Sequence, residues 1–81
     1  MPKSLKSPRH ELVKSALIKQ RKAVGMTQAE VADRLGRAQS YIAKIEGGER
    51  RVDIVELVGI AEVIGLDLAE LVGDLRRTPA V

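Results

Sequence analysis

Eighty-one residues make one small domain, with no room for a separate catalytic or sensing domain beside it. The chain has no Cys, Phe or Trp and a single His, which excludes disulfides, thiolate zinc sites and cysteine nucleophiles and leaves the core to Leu, Ile, Val and Ala. The net charge of +3 is unevenly held: residues 1–51 carry twelve Lys/Arg against five Asp/Glu, residues 52–81 two against six, so one half is suited to a polyanion.

Residues 1–6, MPKSLK, are basic and unpatterned and read as a flexible arm. Ser7 followed by Pro8 is a helix start, a capping hydroxyl before proline at the first helical position. The first helix then runs to about Ala23. Val13, Ala16, Leu17, Gln20 and Val24 share one side with Leu12 flanking, while Lys14, Lys19, Arg21 and Lys22 take the rest and Ile18 lies off the core side. Gly25 stops it. Thr27-Gln28-Ala29-Glu30 is a capping box that opens a second helix over Gln28 to Leu35, with Val31, Ala32 and Leu35 inward.

Gly36 ends the second helix. A third covers Gln39 to Glu46, stopped by Gly47-Gly48 and followed by a charged turn, Glu49-Arg50-Arg51. Asp53 and Glu56 form a second box and open a fourth helix, whose core stripe is read as Ile54, Leu57, Val58, Ala61 and Ile64; Val55 and Val63 are apolar off that stripe. Gly65 ends it. Asp67 and Glu70 make a third box for a fifth helix with Leu68, Leu71, Val72 and Leu75 as its apolar face, and residues 76–81 are a tail broken by Pro79. The expectation is an all-α domain over residues 7–75, with no alternating strand pattern. No stretch is apolar and long enough to span a bilayer and no signal-peptide core is visible, so a soluble cytoplasmic protein is expected.

The third helix carries the most information. At about 100° per residue, Ile42 and Ile45 fall together and must be the buried side. Gln39, Ser40, Ala43 and Lys44 fall opposite, with Tyr41 and Glu46 at the margins. An amide, a hydroxyl, a methyl and an ammonium with no acid among them suit a DNA major groove, where Gln and Lys read base edges and Ala packs on a thymine methyl. The start of the second helix, Thr27 and Gln28, has free amides for phosphate. Lys44, the Tyr41 hydroxyl and Arg37 are further phosphate candidates, Arg37 also for a base. Ala38 precedes the third helix and cannot cap it, at a cost of about 1 kcal/mol; either Arg37 bends in to help or the start of that helix is frayed.

Arg21, Gly25-Met26-Thr27-Gln28, Val31-Ala32, Leu35-Gly36, Gln39-Ser40-Tyr41-Ile42 and Lys44-Ile45-Glu46-Gly47-Gly48, followed by Leu57, Ala61 and Ile64-Gly65, resemble the lambda-repressor-like, or Xre-type, helix-turn-helix family over about residues 11 to 73. The resemblance implies a compact five-helix bundle with a helix-turn-helix formed by helices 2 and 3 and the third helix as recognition helix. It implies Gln28 on phosphate and bracing Gln39, and Gln39, Ser40, Ala43 and Lys44 as the base-facing set. It implies an ion pair between Arg21 and Glu46, which leaves room for a phosphate contact by Arg21, and it sets Arg50 and Arg51 against the DNA backbone. Family members often carry Ser or Thr where this chain has Ala38.

The expected function is sequence-specific binding of double-stranded DNA by a homodimeric transcriptional regulator on a palindromic operator. Leu68, Leu71, Val72 and Leu75 are the candidate dimer residues. The alternative is an antitoxin-like module that docks a toxin through its acidic, apolar C-terminal half and regulates itself through the helix-turn-helix. Glu30 and Asp33 form an acidic patch that RNA polymerase could touch, though a solvated helix face is the plainer reading. One aromatic residue gives no stacking platform for unpaired bases. No metal cluster, phosphate-cradling glycine loop or nucleophile–base pair is present, so no enzyme activity, cofactor, metal or small-molecule ligand is expected.

Overall fold

Side-chain caps fix where four of the five helices begin. The computed structural model describes residues 7–80, which form α1 (Pro8–Ala23), α2 (Gln28–Arg34), α3 (Gln39–Glu46), α4 (Ile54–Ile64) and α5 (Leu68–Arg77), with no strand among the described residues. The arm read over residues 1–6 and the last tail residue, Val81, lie outside them. Ser7 accepts from the His10 amide at the start of α1. Thr27 and Glu30 exchange both bonds of a capping box, at 3.1 and 2.8 Å, and Asp53 and Glu56 do the same at 2.7 and 3.0 Å. Asp67 accepts from the Glu70 amide at 3.1 Å. Each acceptor satisfies an amide that the helix itself cannot.

The exception is α3. Ala38 sits in the extended conformation that a cap requires, φ −71° and ψ 150°, but makes no side-chain cap bond. The helix still begins at Gln39, and the Arg37 guanidinium lies over the Tyr41 ring, 4.3 Å from its centroid, instead of at the uncapped amides. Upstream, Gly36 takes φ +68°, which lets the Arg37 amide reach back to the Ala32 carbonyl at 2.9 Å and turns the chain sharply into α3.

At the centre, α1 packs against α3, α4 and α5, while α2 packs against α3 and α4. The core holds Leu17, Val31, Ala32, Tyr41, Ile42, Ile45, Leu57, Ile60, Ala61, Ile64 and Leu71. Two contacts distant in sequence lock the frame. Gln20 donates to the Ile64 and Gly65 carbonyls at 3.0 and 3.3 Å, so a side chain of α1 closes the carboxyl end of α4. Arg9 donates to the Thr78 carbonyl at 3.0 Å, joining the two ends of the described chain.

Several sequence expectations are corrected. In α4 the buried residues are Leu57, Ile60, Ala61 and Ile64, whereas Ile54 and Val58 are 65% and 38% exposed and Val55 is exposed too. This helix is apolar nearly all round, so periodicity leaves the phase of its buried stripe open. Val24 is exposed because it is the C-cap of α1, where the chain turns away from the core face. Ile18, off the core side of α1, is nonetheless half-buried. Leu35 caps α2 instead of ending it from within. α5 continues two residues past Leu75, supported by an Arg77–Asp74 pair at 2.6 Å, and stops where the Thr78 hydroxyl bonds the Asp74 carbonyl at 2.8 Å. Leu71 belongs to the core, which removes it from the candidate dimer face; Val72 is exposed, and Leu68 and Leu75 are partly buried against the core.

Candidate nucleic-acid interface

The outer face of α3 presents Gln39, Ser40 and Lys44 exposed and Ala43 half-buried, while Tyr41, Ile42 and Ile45 point into the protein. The sequence predicts Tyr41 at the margin of this face with its hydroxyl available to phosphate, and the structure differs. The residue is only 9% exposed and its hydroxyl donates to Glu56 of α4. The chain's one aromatic residue is the largest side chain on α3, and burying it recovers apolar area that a small core needs.

A relay of hydrogen bonds crosses from α1 to the start of α3. Arg21 forks onto Glu46, Nε to Oε2 at 2.7 Å and Nη2 to Oε1 at 3.0 Å, and its Nη1 donates to the Met26 carbonyl at 2.8 Å. Both side chains are nearly covered, at 11% and 8% exposure, so Arg21 is tucked beneath α3 rather than spread on the surface of α1. The bond to Glu46 holds the Arg21 proton more tightly than usual, against the opposing effect of burial. Gln28 Nε2 donates to Glu46 Oε1 at 2.9 Å, and Gln39 Nε2 donates to Gln28 Oε1 at 2.7 Å.

Charge sets the direction of this relay. An ionised carboxylate only accepts, so Gln28 turns its amide nitrogen to Glu46 and its oxygen to Gln39. Gln39 must then give one N–H to Gln28. Its carbonyl oxygen and second N–H, an acceptor and a donor, stay available on an exposed side chain. Beside them an open groove of about 540 Å³ runs from Lys22 and Gly25 past Thr27 and Gln28 to Gln39.

On the other flank of α3, Glu56 gathers the arginines. Arg50 forks onto it at 3.0 and 2.9 Å and also donates to the Arg51 carbonyl at 2.8 Å. Arg37 approaches the same carboxylate at 3.7 Å. Both guanidinium groups lie over the Tyr41 ring, 4.3 and 4.8 Å from its centroid. With the Arg50 bonds, the Asp53 amide and the Tyr41 hydroxyl all favouring the charged form, the Glu56 carboxyl is held down at about 2. The Tyr41 hydroxyl is pushed up, by burial first and then by Glu56, while the two arginines pull the other way. Arg51 is exposed in the same loop.

In the sequence Glu56 is legible only as part of a helix cap. Its second role depends on three residues brought together by tertiary packing, and the sole local signal is the helical spacing of Arg37 and Tyr41. Glu30 and Asp33 are both exposed on α2, with Glu30 engaged in the cap and its carboxyl lowered chiefly by the Thr27 amide.

A family model for the helix-turn-helix matches residues 17–71. The chain is 35% identical over 69 residues to an uncharacterised HTH-type transcriptional regulator of Sinorhizobium fredii, covering 85% of this chain and 90% of that protein. It is 38% identical over 61 residues to the cryptic phage CTXphi transcriptional repressor RstR of Vibrio cholerae, covering 75% of this chain and 54% of that protein, so it spans about half the length of that repressor. Its fold matches an XRE-family like protein from Pseudomonas syringae pv. tomato with a TM-score of 0.79 at 39% identity, over 85% of this chain and 84% of that one. The family model covers more than half of the chain, and with these relatives it establishes that the chain belongs to the XRE-type helix-turn-helix family.

Proposed function

We propose that this protein is a transcriptional regulator that binds double-stranded DNA sequence-specifically, with α3 in the major groove. The observation that carries this reading is the Arg21–Glu46–Gln28–Gln39 relay. A glutamine that offers an acceptor and a donor side by side matches the N6 and N7 edge of adenine, and a fixed amide discriminates better than a swinging one. Ser40, Ala43 and Lys44 complete the base-facing set. The groove past Thr27 and Gln28 admits a phosphate strand, with Gln28 serving both the strand and Gln39. Arg37, Arg50 and Arg51 meet the backbone on the other flank, and Lys44 lies between the two. Arg21, with three of its donors engaged and its side chain covered, supports the surface from below, and Tyr41 acts through its ring, beneath the two arginines, rather than through its hydroxyl.

The protein acts as a homodimer on a palindromic operator. The longest dimension of the molecule is 33 Å, close to the spacing of about 34 Å between half-sites one helical turn apart, so two copies on one face of a duplex stand side by side. Of the four α5 candidates, Val72 and Leu75 line a groove of about 290 Å³ with Val13 and His10 of α1, the surface proposed for the second copy. Among the described residues no helix is long and apolar enough to cross a membrane. The test is selection of bound duplexes from a random pool. Recovery of an inverted repeat with half-sites about one turn apart is expected; recovery of no sequence preference sinks the reading. A second reading, an antitoxin-like module, draws on the exposed row Ile54, Val55 and Val58, which the DNA-binding account leaves unused. Stoichiometric copurification of a second polypeptide from the native host would favour it.

A further inference from the structure

Glu56 touches the turn before α3 through Arg37, α3 itself through Tyr41, and the loop after α3 through Arg50. The body of α3 packs chiefly on α1 and α2, and its Ile42 and Ile45 share the core with Ile60 and Ile64 of α4; the polar cluster adds a second tie, between the flank of α3 and the start of α4. The carboxylate is 14% exposed, whereas the Arg37 and Arg50 side chains are 49% and 38% exposed, so the anion lies beneath and the cations above. The Arg50 bonds already described occupy three of its five N–H groups, leaving donors on its outer edge, and Arg37 is held only by a long ion pair and the ring.

We propose that Glu56 is a specificity-determining positioning residue, an internal anion that braces Arg37 and Arg50 and neutralises half of their charge. The inference rests on the DNA-binding reading above. A carboxylate and a phosphate fit the same guanidinium fork. Glu56 therefore takes up one side of the guanidinium groups from beneath, and its charge lowers the attraction of this flank for any duplex. Bracing also fixes the two cations relative to α3, so their phosphate contacts form only in the register in which α3 meets base edges. Glu56 trades general affinity for discrimination.

Glu56→Gln isolates this role. Glutamine also serves at the third position of a capping box, so α4 keeps its start, while the charge is lost. Binding is measured across a salt series to a mixed-sequence duplex and to the duplex recovered by selection. With one more cation freed, affinity for the mixed-sequence duplex is expected to rise roughly three- to tenfold near ~0.1 M salt, and the slope of log affinity against log salt to steepen by about one. Affinity for the selected duplex rises less, so the ratio of the two falls. In an Arg37→Gln/Arg50→Gln background the same substitution changes neither affinity. A ratio that stays constant, or a mixed-sequence affinity that falls, overturns the proposal. Wild-type protein that binds neither duplex overturns the DNA-binding reading itself. Should the variant melt below the binding temperature, the series is run with Gly59→Ala and Gly73→Ala added, both on helices away from the outer face of α3.

Discussion

The Glu46 carboxylate accepts two bonds from Arg21 and one from Gln28 where its side chain is 8% exposed. Removing one partner of a covered ion pair leaves the other charge unpaired, which costs about 3–5 kcal/mol in buried examples. Glu46→Gln retains one acceptor, so the lower end applies, and Tm is expected to fall by roughly 12–24 °C in a domain of this size. An unchanged melting temperature contradicts the structural weight given to this pair. Glu56 makes a separate prediction about acid. Its carboxyl is held at about 2 in the folded protein against an ordinary value of 4.5, so it stabilises the fold fully above about 4.5 and loses that contribution as pH falls toward about 2. Melting curves taken down through that window should decline, and more shallowly for Glu56→Gln than for wild type; parallel curves would contradict the assignment.

Among the helices, α3 is the one without a side-chain cap, and it is the one proposed to enter the major groove. Ala38 already has a cap's backbone angles, so Ala38→Ser should add the missing acceptor and stabilise by about 1 kcal/mol, read as a rise in Tm of several degrees. No gain would mean that the Arg37–Tyr41–Glu56 cluster already holds that end. In α4, Gly59 is a helix-interior glycine whose added Cβ would meet Leu35 Cδ2 at an ordinary 3.6 Å. Gly59→Ala should therefore stabilise by roughly 0.5–1 kcal/mol in the same melt. These features also show how far the sequence could be read. Thr27, Asp53, Asp67, Gly36 and Gly65 mark helix ends by local chemistry, and such ends are legible in a string of residues. The inward phase of α4 is not, because Ile54, Val58 and Ile60 are interchangeable by hydropathy and only packing against α1 and α2 selects among them. The outer face of α3 is legible because Ile42 and Ile45 fix its phase, whereas the burial of Tyr41 depends on Arg37, Arg50 and Glu56 meeting from three different segments.

For the molecule as a whole, the uneven charge along the chain becomes a surface with two flanks around the outer face of α3. On one flank Glu46 sets the direction of the Gln39 amide through Gln28, and on the other Glu56 braces Arg37 and Arg50. Each carboxylate lies beneath the surface and acts through the groups above it. The central claim is that Gln39 reads a base while the arginines hold the backbone, and bound-sequence profiles of Gln39→Ala and Arg50→Ala beside wild type test it most directly. Gln39→Ala should lose preference at one position of each half-site, worth about 1–3 kcal/mol of discrimination there, with the other positions kept. Arg50→Ala should weaken every sequence alike and leave the profile unchanged. If Gln39→Ala keeps the full wild-type profile and loses affinity uniformly, α3 does not read bases through Gln39 and the account is wrong at its centre.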